Sequence, residues 1–85
     1  MGKYKIEIKQ SAVKELNKIP EEDLKKIASE IESLSNNPRP TGCEKLSTLE
    51  RYRIRQGNYR ILYSIEDDIL TVYVVKIGHG KDVYR

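Results

Sequence analysis

The chain has 85 residues, enough for one domain with a thin core. Charged residues make up 34% of it, the net charge is +3, and no apolar run approaches the roughly 18 residues of a membrane span. The single cysteine, Cys43, excludes an internal disulfide, so a chain this small invites a partner that adds stability.

Met1 to Lys5 alternate polar and apolar residues without a signal-peptide core, so a cytoplasmic protein is expected. Tyr4, Ile6 and Ile8 alternate with Lys3, Lys5, Glu7 and Lys9, the pattern of a strand with one buried face. Ser11 is placed to cap a short helix running to about Ile19. Pro20 suits the first position of a second helix, and Glu21, Glu22 and Asp23 complement its dipole. Leu24, Ile27, Ala28, Ile31 and Leu34 recur at helical spacing as its core stripe. Asn36-Asn37-Pro38 ends it, because a residue before proline disfavours the α region.

Arg39 to Leu49, with Pro40 and Gly42 inside, reads as a loop. Tyr52–Gln56 and Tyr59–Ile65 flank Gly57-Asn58, the signal of a tight hairpin. Ile69–Ile77, rich in β-branched residues, follows a turn at Asp67-Asp68 and precedes a polar tail from Gly78 to Arg85. The order β-α-α-β-β-β predicts a single α+β domain over residues 1–85: a mostly antiparallel four-stranded sheet with the two N-terminal helices packed on one face. The pattern leaves open where the first strand joins the sheet.

The ten lysines are spread along the chain, but five of the six arginines (Arg51, Arg53, Arg55, Arg60 and Arg85) follow residue 50. Alternation turns Tyr52 and Ile54 one way and Arg51, Arg53 and Arg55 the other. In the next strand Tyr59, Ile61, Tyr63 and Ile65 oppose Arg60, Leu62 and Ser64. With helices over the tyrosine–isoleucine side, the arginines gather on the open side, and no acidic residue alternates with them. Like charges at close range are destabilising unless an anion sits between them. A merely solvated face is the competing reading. The tail brings His79, Lys81, Tyr84 and Arg85 behind the last strand, where they close one end of a cationic groove suited to a strand of nucleic acid.

Other groups read as structural. His79, Asp82 and Cys43 match no ligand spacing, so neither a metal nor a cofactor is expected. Glu66, Asp67 and Asp68 read as a solvated turn, Cys43 as a passive thiol, and His79 as a solvated side chain before an acid or base.

The whole chain resembles the RelE/ParE toxin superfamily, the RelE branch in particular. The residues that carry the likeness are Lys45-Leu46, Tyr52-Arg53-Ile54-Arg55, Gly57-Asn58-Tyr59-Arg60-Ile61-Leu62-Tyr63, Ile77-Gly78-His79 and Asp82-Val83-Tyr84-Arg85. The resemblance implies the toxin of a type II toxin–antitoxin pair, a ribosome-dependent endoribonuclease. Such a toxin cuts mRNA in the A site without metal, by attack of a ribose 2′-hydroxyl on the adjacent phosphate. It implies as partners a RelB-like antitoxin, the ribosome and mRNA, with operator DNA reached only through the antitoxin and no membrane. Arg53, Arg55 and Arg60 match the family's phosphate-holding positions and Tyr84 its base-stacking tyrosine. Lys81 stands in for an arginine the family usually has where this chain has Gly80. Lys45, Arg51, His79 and Arg85 are the further candidate RNA contacts. The departure at Gly80 implies an attenuated cut, or a chain that binds RNA and antitoxin without cutting. A ParE-type inhibitor of DNA gyrase is the alternative on the same fold.

Overall fold

A computed structural model of the chain describes residues 3–46 and 51–79. Its elements run β1 (Lys5–Ile8), α1 (Gln10–Leu16), α2 (Glu21–Ser33), β2 (Glu44–Leu46), β3 (Arg51–Gln56), β4 (Tyr59–Glu66) and β5 (Thr71–His79), with a 3-10 turn at Asp67–Ile69. The strands form one sheet in the order β1-β5-β4-β3-β2. Four of them are antiparallel neighbours, and β1 runs parallel to β5 at one edge.

The α+β architecture follows the sequence pattern, but the sheet has one strand more than the four expected. The addition is β2, inside the segment read as a loop. A three-residue strand is too short to show alternation. It forms because the Cys43 N–H donates to the Pro40 carbonyl at 3.1 Å across a turn with Gly42 at φ 95°, which lays Glu44–Leu46 along β3.

Helix and strand starts also differ from expectation. Ser11 is not a cap: α1 begins at Gln10 with no side-chain cap. The Lys9 carbonyl accepts from Ala12 and Val13 instead. Pro20 sits just ahead of α2 rather than inside it, and its carbonyl accepts the Leu24 N–H at 2.8 Å. Ile69 lies in the 3-10 turn, 68% exposed, so β5 starts two residues later and continues to His79. Leu70 takes a left-handed φ of 46°, which turns its carbonyl onto the Lys5 N–H at 2.7 Å and starts the β1–β5 pairing.

The core lies between α2 and the helix-side face of the sheet. Ile27, Ile31 and Leu34 pack on Tyr52, Ile54, Ile61, Tyr63, Ile65, Val72, Val74 and Ile77. Ala28 is exposed and Leu24 only half-buried, because Ala28 lies about 100° round the helix from Ile27 and the sheet meets a narrower strip than the stripe suggests. Tyr63 is fully buried, stacks on Tyr52 with ring centroids 5.9 Å apart, and donates its hydroxyl to the Pro38 carbonyl at 2.7 Å. Burial, with Cys43 close by, raises its phenol pKa well above the ordinary value.

One polar cluster ties the periphery to this core. The Ser35 carbonyl accepts from the Lys3 and Tyr4 N–H groups at 3.0 Å. The Tyr4 hydroxyl donates to Asp67 Oδ1 at 2.7 Å, and Arg39 grips the same carboxylate at 2.9 and 3.4 Å. Arg39 Nε also donates to the Tyr52 hydroxyl at 3.2 Å, with the guanidinium 5.3 Å from that ring's centroid. Asp67 keeps the exposed turn position expected, but its carboxylate is also engaged. It joins β1, the loop after α2 and the β4–β5 turn.

The hydrogen bonds from Arg39 and Tyr4 hold the Asp67 carboxyl below its usual range. A carboxylate whose folded pKa is depressed contributes stability that is complete above its unfolded value, about 3.9, and is lost as pH falls through the lower folded value. Asp67→Asn is expected to lower Tm at pH 7, with the gap from the parent chain closing as pH falls from the unfolded value, about 3.9, through the lowered folded one. Thermal denaturation across that range checks it, and a gap that does not change with pH contradicts it.

Candidate functional site

Strand register builds the candidate site. β3 and β4 pair Arg51 with Ser64, Arg53 with Leu62 and Arg55 with Arg60. The pairing continues onto β5 with Tyr73, Lys76 and Gly78. Three rows therefore cross the face away from α2: Arg51–Ser64–Tyr73, Arg53–Leu62–Lys76 and Arg55–Arg60–Gly78. Successive rows lie about 7 Å apart and strands about 4.8 Å apart, so these side chains are within mutual reach. The expected gathering of Arg51, Arg53, Arg55 and Arg60 on one face is what the structure has.

Lys76 also belongs to this face, and the sequence reading missed it. A register irregularity at Leu62/Tyr63 leaves Val75 without a partner and turns Lys76 toward the arginines. The signal was the three-residue step between core residues Val74 and Ile77 where alternation requires two. It was obscured because Val75 is itself apolar. Leu62, only 7% exposed, gives the cationic face an apolar floor.

No acidic residue alternates with the arginines on β3, as expected, but β2 brings Glu44 in from outside that strand. β2 places it directly across from Arg53. Its Oε1 accepts from Arg53 Nη2 at 2.7 Å and from Nε at 3.2 Å. The Arg53 side chain is only 16% exposed, so the ion pair fixes the direction of its guanidinium. Hydrogen bonding from Arg53, with the added fields of Arg55 and Arg60, lowers the Glu44 carboxyl pKa. Glu44, Arg53, Arg55 and Arg60, with Thr41, Gly42 and Ile54, line an open cleft of about 420 Å³, and Glu30 of α2 adds a second carboxylate at its edge.

Arg55 and Arg60 are directly opposed, and like charges in that position destabilise a sheet. Glu44 offsets part of this repulsion, and a phosphate entering the cleft adds to the compensation. Arginine stays protonated and presents a fork of donors, so the cleft is equipped to grip a phosphodiester and to stabilise negative charge growing on it.

Two expected contacts lie elsewhere. Lys45 pairs with Tyr52, which puts it on the helix side of the sheet. His79 pairs with Tyr59, their ring centroids 4.6 Å apart, also on the helix side. Period-two alternation decides both cases once β2 exists and β5 reaches His79 with a bulge inside it. Gly80, Lys81, Tyr84 and Arg85 lie outside the described residues. Among the described residues no three His, Cys, Asp or Glu side chains come together as metal ligands, and no helix is long and apolar enough to cross a membrane.

Residues 6–84 match the family model of the ParE toxin of type II toxin–antitoxin systems, parDE. The chain is 31% identical over 87 residues to RelE1 of Methanocaldococcus jannaschii, a match covering 98% of this chain and 97% of that protein. It is 30% identical over 84 residues to the toxin RelG of Mycobacterium tuberculosis, covering 96% and 97%. The fold is similar to a chain of the archaeal RelE–RelB complex from Pyrococcus horikoshii, with a TM-score of 0.81, 25% identity and coverage of 91% and 94%.

A phosphate entering the cleft competes with Glu44 for Arg53. Glu44→Gln is therefore expected to tighten binding of a short single-stranded oligonucleotide by up to about fivefold at low salt, the scale of an exposed ion pair, with the gain vanishing at high salt. Fluorescence anisotropy across a salt series reads this, and weaker binding in the variant would reverse the assignment of Glu44.

Proposed function

The chain belongs to the ParE toxin family of type II toxin–antitoxin systems, within the RelE/ParE superfamily, and from that premise we propose that it is a ribosome-dependent endoribonuclease cleaving mRNA in the A site. The observation that carries this reading is Arg55 facing Arg60 across β3 and β4, with Arg53 beside them oriented by Glu44.

In this reading Arg55 and Arg60 hold the scissile phosphate, and the ribose 2′-hydroxyl attacks it in line. The new bond closes a 2′,3′-cyclic phosphate, the P–O5′ bond breaks, and the 5′-oxygen leaves with a proton. Negative charge rises on the phosphate oxygens in the transition state, where fixed guanidinium groups stabilise it most. None of the arginines takes the 2′-hydroxyl proton, because arginine remains protonated. Glu44 is a carboxylate placed against this cluster and able to accept it, but its lowered pKa makes it a weak base. The rate gain therefore rests mainly on electrostatics and positioning. Tyr84 stacks on a base, and Lys81 stands in for the arginine the family has at Gly80. Gly80 then attenuates departure of the 5′-oxygen.

The proposed partners are the ribosome, mRNA and a RelB-like antitoxin, with operator DNA reached only through that antitoxin. The Pyrococcus relative, found in complex with RelB, supports the antitoxin. The site of action would be the cytoplasm. The ParE name of the matching family model favours a second reading, inhibition of DNA gyrase.

Arg60→Ala is expected to slow cleavage of ribosome-bound mRNA by about 10²–10³-fold, the effect of removing one preorganised charge donor, and Gly80→Arg to accelerate it. Primer extension on programmed ribosomes measures both. Intact mRNA with the Gly80→Arg chain sinks the proposal. Loss of gyrase supercoiling at stoichiometric protein, with mRNA intact, would transfer it to the second reading.

A further inference from the structure

β1 covers only Thr71–Val74 of the nine-residue β5, and among the described residues no other strand pairs with the rest of that edge. α1 lies against this stretch, and Glu15 Oε1 accepts the Ile77 N–H at 3.0 Å. That contact seats α1 beside the open face of the sheet. Between them is a second cleft, of about 500 Å³, lined by Lys9, Lys14, Lys18, Arg51, Lys76 and Leu62. Five of these six are cations, and among the described residues none of the five makes an ion pair. The carboxylate that lines the cleft, Glu15, is engaged with the Ile77 backbone.

We propose that this cleft binds the sugar–phosphate backbone of RNA flanking the nucleotide held at Arg55 and Arg60, making a second contact segment separate from the cleaving one. The proposal rests on the reading of the arginine face as an RNA site and extends its length. Continuity favours RNA over an acidic peptide. Leu62 sits between Arg53 and Lys76 in the middle row of the arginine face and also floors the second cleft. Arg51 is four residues from Arg55 on β3, about 14 Å along the strand, so one extended nucleic acid strand can span both clefts. The residue types differ in a useful way. Arginines, with their fixed forks, occupy the cleft where geometry matters. Lysines, mobile point charges, dominate the one that has only to track phosphates.

The test uses the full chain with 2′-O-methyl RNA, which cannot be cut, in lengths of about 4 and about 12 nucleotides. Lys14→Ala keeps a helix-favouring residue in α1, and Lys18→Ala falls in the turn just after it. The double variant Lys14→Ala/Lys18→Ala is expected to weaken the longer RNA about tenfold at low salt and to reduce its salt slope by about 1.4, or 0.7 per lost phosphate contact. The shorter RNA, held at Arg55 and Arg60, should be unaffected. Lys25→Ala/Lys26→Ala on α2, which removes the same charge, should change neither. Unaltered affinity and slope for the longer RNA, or an equal loss in the α2 control, overturns the proposal. Loss of antitoxin binding by the α1 variant with RNA binding unchanged also overturns it, in favour of an acidic peptide. If the parent chain leaves ribosomal mRNA intact while the length-dependent effect holds, the cleaving function fails and this binding segment stands.

Discussion

Everything in this molecule depends on the register between β3 and β4. Gly57, at φ 60°, closes their two-residue turn and sets Tyr52 against Tyr63 and Ile54 against Ile61. A slip of one residue would send these side chains to solvent and drive Arg53 and Arg60 under α2. Burying guanidinium groups without partners is far more costly than any local gain. The buried face therefore positions the cationic one. The arginines cannot drift, because the residues between them are the core.

That coupling explains how a thin fold carries a repulsive surface. The stack of Tyr52 on Tyr63, the Tyr63–Pro38 hydrogen bond and the Ile27–Ile31–Leu34 strip hold the two strands from the helix side. On the other side, opposition of Arg55 to Arg60 works against pairing. β2 moderates this by bringing Glu44 to Arg53. The same short, charged strand covers one side of β3, a common protection against edge-to-edge association. Because the arginines stand on strands rather than loops, their geometry is set before any ligand arrives.

The chain also divides its arginines by task. Arg39 holds Asp67 and Tyr52 and stabilises the junction of β1, the post-α2 loop and the β4–β5 turn. The arginines of β3 and β4 line the open face. Lysines take a third position, arrayed by α1 and by the bulge that re-aims Lys76. Neither arrangement of lysines follows from charge counting. α1 reaches its place because β5 outruns β1 and Glu15 satisfies a backbone donor that would otherwise face an uncovered edge.

The sequence by itself determined the α+β class, the hairpin, the core stripe at Ile27, Ile31 and Leu34, and the gathering of Arg51, Arg53, Arg55 and Arg60. All of these rest on local periodicity and turn chemistry, which act over a few residues. Tertiary structure decided the rest: the parallel β1–β5 edge, the fifth strand, the Glu44–Arg53 pair, the Asp67 cluster and the faces taken by Lys45, His79 and Lys76. Each depends on a contact between distant segments, or on one extra residue in a strand that reverses every face beyond it. Periodicity tells which residues share a side of one element. Only packing tells which element lies next to it.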